Sequence, residues 1–94
     1  MASVYDAHVY VTLKRGVLDP QGDTVRSALA ALGFAEVQDL RIGKFMILRV
    51  EQGSREAAEA RVHEMCRRLL ANPVIEEYRF DLHEAARGAE ATAR

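Results

Sequence analysis

EVQDLRIGKFMILRVE, residues 36–51, decides how many strands this chain has. Apolar residues alternate with polar ones on both sides of Gly43, and the charges Glu36, Asp39, Arg41 and Lys44 are threaded between them. Strict alternation is the pattern of a half-buried strand, because successive side chains point to opposite faces. With Gly43-Lys44 as a two-residue turn, Ile42 pairs with Phe45 and Leu40 with Ile47 on one face. Arg41 then lies beside Met46, and Asp39 beside Leu48, on the other. A longer loop or a bulge at Gly43 would shift this register. In either register Arg41 and Lys44 stand together at one end of the sheet, as an anion or partner contact or as a plain charged turn.

Working outward, residues 4–13 alternate well. Tyr5, Ala7, Val9, Val11 and Leu13 share one face; Asp6, His8, Tyr10 and Thr12 share the other. LKRGVLDPQG breaks that pattern and opens a helix. Asp19 can cap it, Pro20 needs no N–H in its first turn, and Asp23 favours the positive helix start. Val25, Ala28, Leu29 and Leu32 follow at helical spacing, and Gly33 offers the left-handed residue that ends a helix, with Phe34 folding back on Leu29. Ser54 caps a second helix with the stripe Ala58, Val62, Met65, Cys66 and Leu69. Asn72-Pro73 stops it, since the residue before proline is pushed out of the α region. A last strand runs from Val74, with Tyr78, Phe80 and Leu82 on one face and Ile75, Glu77, Arg79 and Asp81 on the other.

The expected order is therefore β-α-β-β-α-β, an α+β fold of ferredoxin-like type: an antiparallel sheet with two helices on one face. Residues 1–84 form the single domain, and residues 85–94, small and polar, read as a flexible tail. The other sheet face presents Val4, Tyr10, Ile75 and part of the central hairpin, which suggests self-association or a partner.

A chain of 94 residues with 13 basic and 14 acidic side chains has no basic excess for neutralising phosphates, so nucleic acid is not expected as a partner. GKFMILRV also carries one aromatic where stacking of RNA bases on a sheet wants two. One cysteine, Cys66, excludes an intramolecular disulfide and fits a reducing cytoplasm. No apolar run approaches the roughly 20 residues of a membrane span, and the N-terminus lacks the pattern of a secretory signal.

No catalytic constellation emerges. Cys66 lies on an apolar helical stripe and reads as a buried thiol. His63 and Cys66 have the spacing of half a metal site, but nothing supplies the other ligands. His8 and His83 sit near strand ends, and no short spacing joins the three histidines. Glu76 and Glu77 point to opposite faces of one strand, which rules out paired-carboxylate chemistry there. LKRGVLDPQGDT has two glycines but no Walker-type ending. Lys14 and Arg15 before Asp19 could attract an anion at the helix start, though a solvated loop accounts for them as well.

Three stretches carry a resemblance: LKRGVLDPQGDTVRSALAALGF, VQDLRIGKFMILRVE and CRRLLANPVIEEYRF. Together they resemble the PurS-type small subunit of phosphoribosylformylglycinamidine synthase, almost without gaps from about Val9 to Phe80. The resemblance implies an accessory subunit in the fourth step of de novo purine synthesis. There formylglycinamide ribonucleotide, glutamine and ATP give formylglycinamidine ribonucleotide, glutamate, ADP and phosphate. A separate glutaminase subunit would release ammonia and a large synthetase subunit, carrying ATP and Mg, would use it. This chain would hold no cofactor, no metal and no catalytic residue of its own. It would join the two as a homodimer or higher homo-oligomer, with its sheet edges or open face making the contact between its own copies. The expected docking residues are Lys14, Arg15, Asp19 and Gln21 of the first loop with Arg41, Gly43 and Lys44 of the hairpin. The alternative with the same element order is a small ligand-binding regulatory domain of amino-acid-sensing type, which would use the KRGVLDPQG loop.

Overall fold

A computed structural model describes residues 2–85. The elements are β1 (Ser3–Leu13), α1 (Pro20–Ala31), β2 (Lys44–Gln52), α2 (Arg55–Met65) and β3 (Glu76–Glu84), with α2 running on into a wider π turn, Cys66–Leu70. The sheet has three strands in the order β2-β1-β3, and both pairings are antiparallel. The α+β class and the antiparallel sheet are those expected from the alternation, but with three strands the ferredoxin-like plan fits only roughly. The expected single domain, residues 1–84, is described from residue 2, and the expected tail, residues 85–94, lies outside the described residues from 86 onward.

The central strand carries the core. Tyr5, Ala7, Val9 and Val11 are buried on one face of β1, against Ala58, Val62 and Cys66 of the second helix and Leu82 of β3. Register brings Val9 between Met46 and Phe80, and Ala7 between Leu48 and Leu82, so each layer of the core is contributed by all three strands. Small residues on α2 and at Ala7 allow close approach of helix and sheet, while Met46, Leu48, Val50, Tyr78 and Phe80 close the sides. Ser54 caps α2 as expected, its hydroxyl oxygen accepting from the Ala57 N–H at 3.1 Å. Before Asn72-Pro73 the helix widens, and the π turn buries Cys66 while leaving Leu69 exposed. Burial pushes the Cys66 thiol above its ordinary pKa, which favours the protonated, unreactive form.

Two boundaries differ from expectation. β3 begins at Glu76 rather than Val74, because the turn after Pro73 engages the Asn72 carbonyl with the N–H groups of both Ile75 and Glu76. More importantly, residues 36–43 form no strand. Only the second half of the expected hairpin is one, β2, and it pairs with β1 rather than with the segment before Gly43. Its outer edge is free of any strand among the described residues.

The first helix is the second departure. Its start and stop are those read from sequence: Asp19 caps it, Pro20 sits in its first turn, and Gly33 takes a φ of 103°. The Gly33 N–H donates to Ala30 and the Phe34 N–H to Leu29, a Schellman termination. Yet α1 makes no extensive contact with any strand, and Gly22 is its one buried residue. The described chain is correspondingly extended, with principal extents of 54 × 30 × 16 Å and a radius of gyration of 17.1 Å. A compact domain of this length would have about 12 Å. No described helix is long and apolar enough to cross a membrane.

The core reading has a direct check. Val9 is fully buried at the middle of the central strand. Val9→Ala should cost about 2 kcal/mol from lost transfer energy and the cavity left behind. Thermal unfolding should show a midpoint lowered by roughly 10 °C; a shift within experimental error would contradict this placement of the core.

Candidate functional site: the Asp19–Arg41 clasp

The residues expected to dock a partner come together at the end of the sheet from which α1 projects, but not as a hairpin tip. Asp19 is buried, and both its carboxylate oxygens are engaged. One accepts from the Gly22 N–H at 2.9 Å, the capping bond its position before Pro20 predicts. The other accepts from the Ile42 N–H at 2.9 Å, across 23 residues of chain. Arg41 closes the clasp from the opposite direction. Its guanidinium donates to the Lys14 carbonyl at 3.1 Å and to the Val17 carbonyl at 3.0 Å. Two side chains thus tie the 14–19 loop to the returning segment 39–42, in both directions.

Two glycines make the approach possible. A Cβ at Gly22 would run into the Leu40 carbonyl oxygen, and its next neighbour would be an Asp19 carboxylate oxygen at 2.8 Å. A Cβ at Gly43 would meet the Val11 carbonyl oxygen and the Thr12 methyl. Gly43 is therefore the place where the chain crosses closely over the end of β1, and not a reversal between two strands. A shallow cavity of about 190 Å³ remains beside the clasp, lined by Gly16, Val17, Leu18, Asp23, Asp39 and Arg41.

The two N–H donors hold the Asp19 carboxyl below its ordinary pKa, first Ile42 and then Gly22. Burial works against them, and the Arg41 charge adds to them. The arrangement positions backbone; it presents neither a nucleophile nor a free base. Lys44 begins β2, its Nζ 3.8 Å from the Glu76 carboxylate, which also accepts from the Asn72 N–H at 2.7 Å. Lys14, Arg15 and Gln21 are exposed on the outside of the same loop and helix start, and their side chains have no partner among the described residues.

The open sheet face holds a second group that residue spacing did not reveal. The β1–β3 register pairs His8 with Asp81 and Asp6 with His83, which sets the two histidines diagonally with ring centroids 4.5 Å apart. Phe45 stands against His8 and Tyr10, and the Arg79 guanidinium lies 4.0 Å from the centre of the Tyr10 ring. On the same face Asp6 pairs with Arg49 of β2 at 2.9 Å, and this bond lowers the Asp6 pKa. The signal was available only through strand pairing, since His8 and His83 are 75 positions apart. His63 points elsewhere, its Nδ1 3.0 Å from the Tyr78 hydroxyl. Among the described residues no three His, Cys, Asp or Glu side chains are grouped to hold a metal ion.

A family profile described as PurS, phosphoribosylformylglycinamidine (FGAM) synthase, matches residues 6–84. The chain belongs to the PurS family. The PurS subunit of Bacillus subtilis is 51% identical over 86% of this chain and 95% of its own length. A solved structure of B. subtilis PurS superposes with a TM-score of 0.77, at 51% identity, covering 85% of this chain and 99% of that one. The structure of PurLQS from Thermotoga maritima contains a chain that matches at 34% identity with a TM-score of 0.76, covering 87% of this chain and 98% of that one. All of the clasp lies within the part matched to the PurS family, and an amino-acid-sensing module is not favoured by these relationships.

The clasp carries a pH signature. The Asp19 carboxyl titrates lower in the folded chain than in the unfolded one, where it has an ordinary value of about 3.9. Its contribution is therefore complete above the unfolded value and is lost as pH falls through the lowered folded one. Asp19→Asn should reduce the urea midpoint at pH 7, and the gap to the parent should narrow towards pH 3. A gap independent of pH would show that the charge plays no part. Gly22→Ala should lower the midpoint at every pH, because the collision with Leu40 is steric.

Proposed function

We propose that this PurS-family chain is the non-catalytic assembly subunit of phosphoribosylformylglycinamidine synthase, a multi-subunit ligase of purine biosynthesis. It would join a glutaminase subunit to a large ATP-dependent synthetase subunit and help ammonia pass between them. The observation that carries this reading is the match to a chain of PurLQS, an assembly whose name joins PurL and PurQ to PurS, over 98% of that chain's length. ATP and Mg would belong to the large subunit, and the setting would be the cytoplasm. We also propose that the chain works as a homodimer; its extended form, with Leu32, Ile47, Leu69 and Val74 exposed, supports this reading.

The clasp divides the candidate docking residues by role. Asp19, Arg41 and Gly43 shape the loop, and Lys44, exposed at the start of β2, pairs with Glu76. Lys14, Arg15 and Gln21 are presented outward on a backbone held by those bonds. Two cations on a rigid rim suit the recognition of an acidic surface, where charge sets partner choice and association rate more than affinity.

The Lys14→Ala/Arg15→Ala double variant should keep the parent's melting temperature, because neither side chain is engaged. In the reconstituted complex, glutamine-dependent turnover should fall several-fold at low ionic strength and the deficit should shrink as salt screens the contact. Ammonia-dependent turnover should change less. Unchanged glutamine-dependent turnover at low salt would remove these two residues from the docking surface.

A further inference from the structure

GKFMILRV carries a single aromatic, Phe45, and strand pairing sets further planar side chains beside it. Tyr10 of β1 stands directly opposite Phe45 of β2 and opposite Arg79 of β3, so the three side chains form one row across the open face. The Tyr10 and Phe45 ring centroids are 5.0 Å apart, with the planes inclined by 35°. The Arg79 guanidinium extends the row on the other side, 4.0 Å from the centre of the Tyr10 ring. His8 meets Phe45 edge-on at 5.7 Å and carries the aromatic surface on to His83. Phe45 is 54% exposed, so its ring is open to a ligand.

A cavity of about 280 Å³ opens beside the row, lined by Tyr10, Thr12, Glu77, Tyr78 and Arg79. That is near the lower end, roughly 300 Å³, of the sites that take small molecules. Aromatic rings and guanidinium planes are the surfaces on which unpaired nucleobases stack, so the row suits a flat heteroaromatic ring.

Charge then narrows the ligand. Arg49 pairs with Asp6 and Arg79 with Asp81, while Glu77 has no partner among the described residues. The cavity therefore sets one cation, Arg79, against two carboxylates, Glu77 and Asp81, a balance that disfavours phosphate. A neutral nucleoside fits where a nucleotide or an RNA strand would be repelled. A carboxylate can only accept hydrogen bonds, so Glu77 selects a base edge with adjacent N–H groups. Guanine presents such a pair, its ring N1–H and its exocyclic amino group. Adenine and uracil set acceptors beside their donors instead.

We propose that the open sheet face binds a guanosine-type nucleoside, its base lying on the Phe45–Tyr10–Arg79 row with its N–H edge turned to Glu77. This goes beyond the assembly role and does not depend on it.

Proton NMR of the purified full chain, titrated with guanosine, tests the proposal. The chain has three tyrosines and three phenylalanines, so the Tyr10 and Phe45 ring signals can be assigned by substitution. Both should move upfield and saturate, because a stacked base shields the protons beneath it. Phe45→Leu and Tyr10→Leu keep apolar bulk at an exposed and a half-buried position, so each should retain the parent's circular dichroism. Each should nonetheless weaken guanosine about tenfold or more. Glu77→Gln should weaken guanosine to the level of adenosine, and guanosine monophosphate should bind the parent less tightly than guanosine. No saturable shift, or an affinity untouched by Phe45→Leu, would overturn the site. Equal affinity for adenosine in the parent would overturn the guanosine-type assignment. An oligoribonucleotide that binds more tightly than guanosine, with a steep loss in salt, would give the face to RNA instead. Co-purification with the glutaminase and synthetase subunits reads the assembly role separately, so either reading can fail alone.

Discussion

The Asp19 carboxylate is the constraint on which the projecting half of this molecule depends. One side chain begins α1 by accepting from Gly22 and also fastens the chain's return by accepting from Ile42. These two bonds, with the Arg41 bonds to the 14–19 loop, fix the direction in which α1 leaves the sheet. Charge-assisted bonds of this kind are about twice as strong as neutral ones, and both donors here are backbone groups that burial would otherwise leave unpaired. The clasp is therefore a bracket, and the helix it carries is held away from its own sheet.

The consequence for stability is an uneven molecule. The sheet and α2 share a core in which Val9, Val11, Val62 and Cys66 are wholly enclosed. The arm has almost none: its one buried helical residue is a glycine, enclosed by the bracket rather than by apolar packing. Small domains already bury a modest fraction of their surface. Here about a third of the described chain, from residue 14 to residue 43, contributes little to the core. Such an arm would gain stability by packing against a second chain in the homodimer proposed above.

Much of this architecture was legible because it is local. The alternation of residues 4–13 gave the central strand and its buried face, and the signals at Asp19-Pro20, Gly33-Phe34, Ser54 and Asn72-Pro73 marked helix ends by mechanisms that operate within a few residues. What could not be read was partnership. The alternation in residues 37–42 reports an extended backbone, and extended backbone is compatible with a strand or with a segment held by side chains. Gly43 is the clearest case. A glycine between two apolar runs signals a hairpin turn or a close backbone approach with equal force, and here the neighbour is the Val11 carbonyl, 32 residues away. The same non-locality hid the roles of the charged residues. Arg41 looked like a surface cation because nothing in RIGK announces that Lys14 and Val17 supply its acceptors.

That division between shaping and presenting residues bears on how an assembly subunit is made specific. A flexible charged loop would lose entropy when it docks, and that loss opposes binding. Here Asp19 and Arg41 already tie the loop's backbone to the returning segment before any partner arrives. Lys14, Arg15 and Gln21 then project from a surface whose shape is set, so the ordering cost is confined to their own side chains. The same bracket aims α1 outward, away from the sheet that would otherwise compete for it. One set of polar contacts thus orders the loop and directs the helix, and neither requires the core to move.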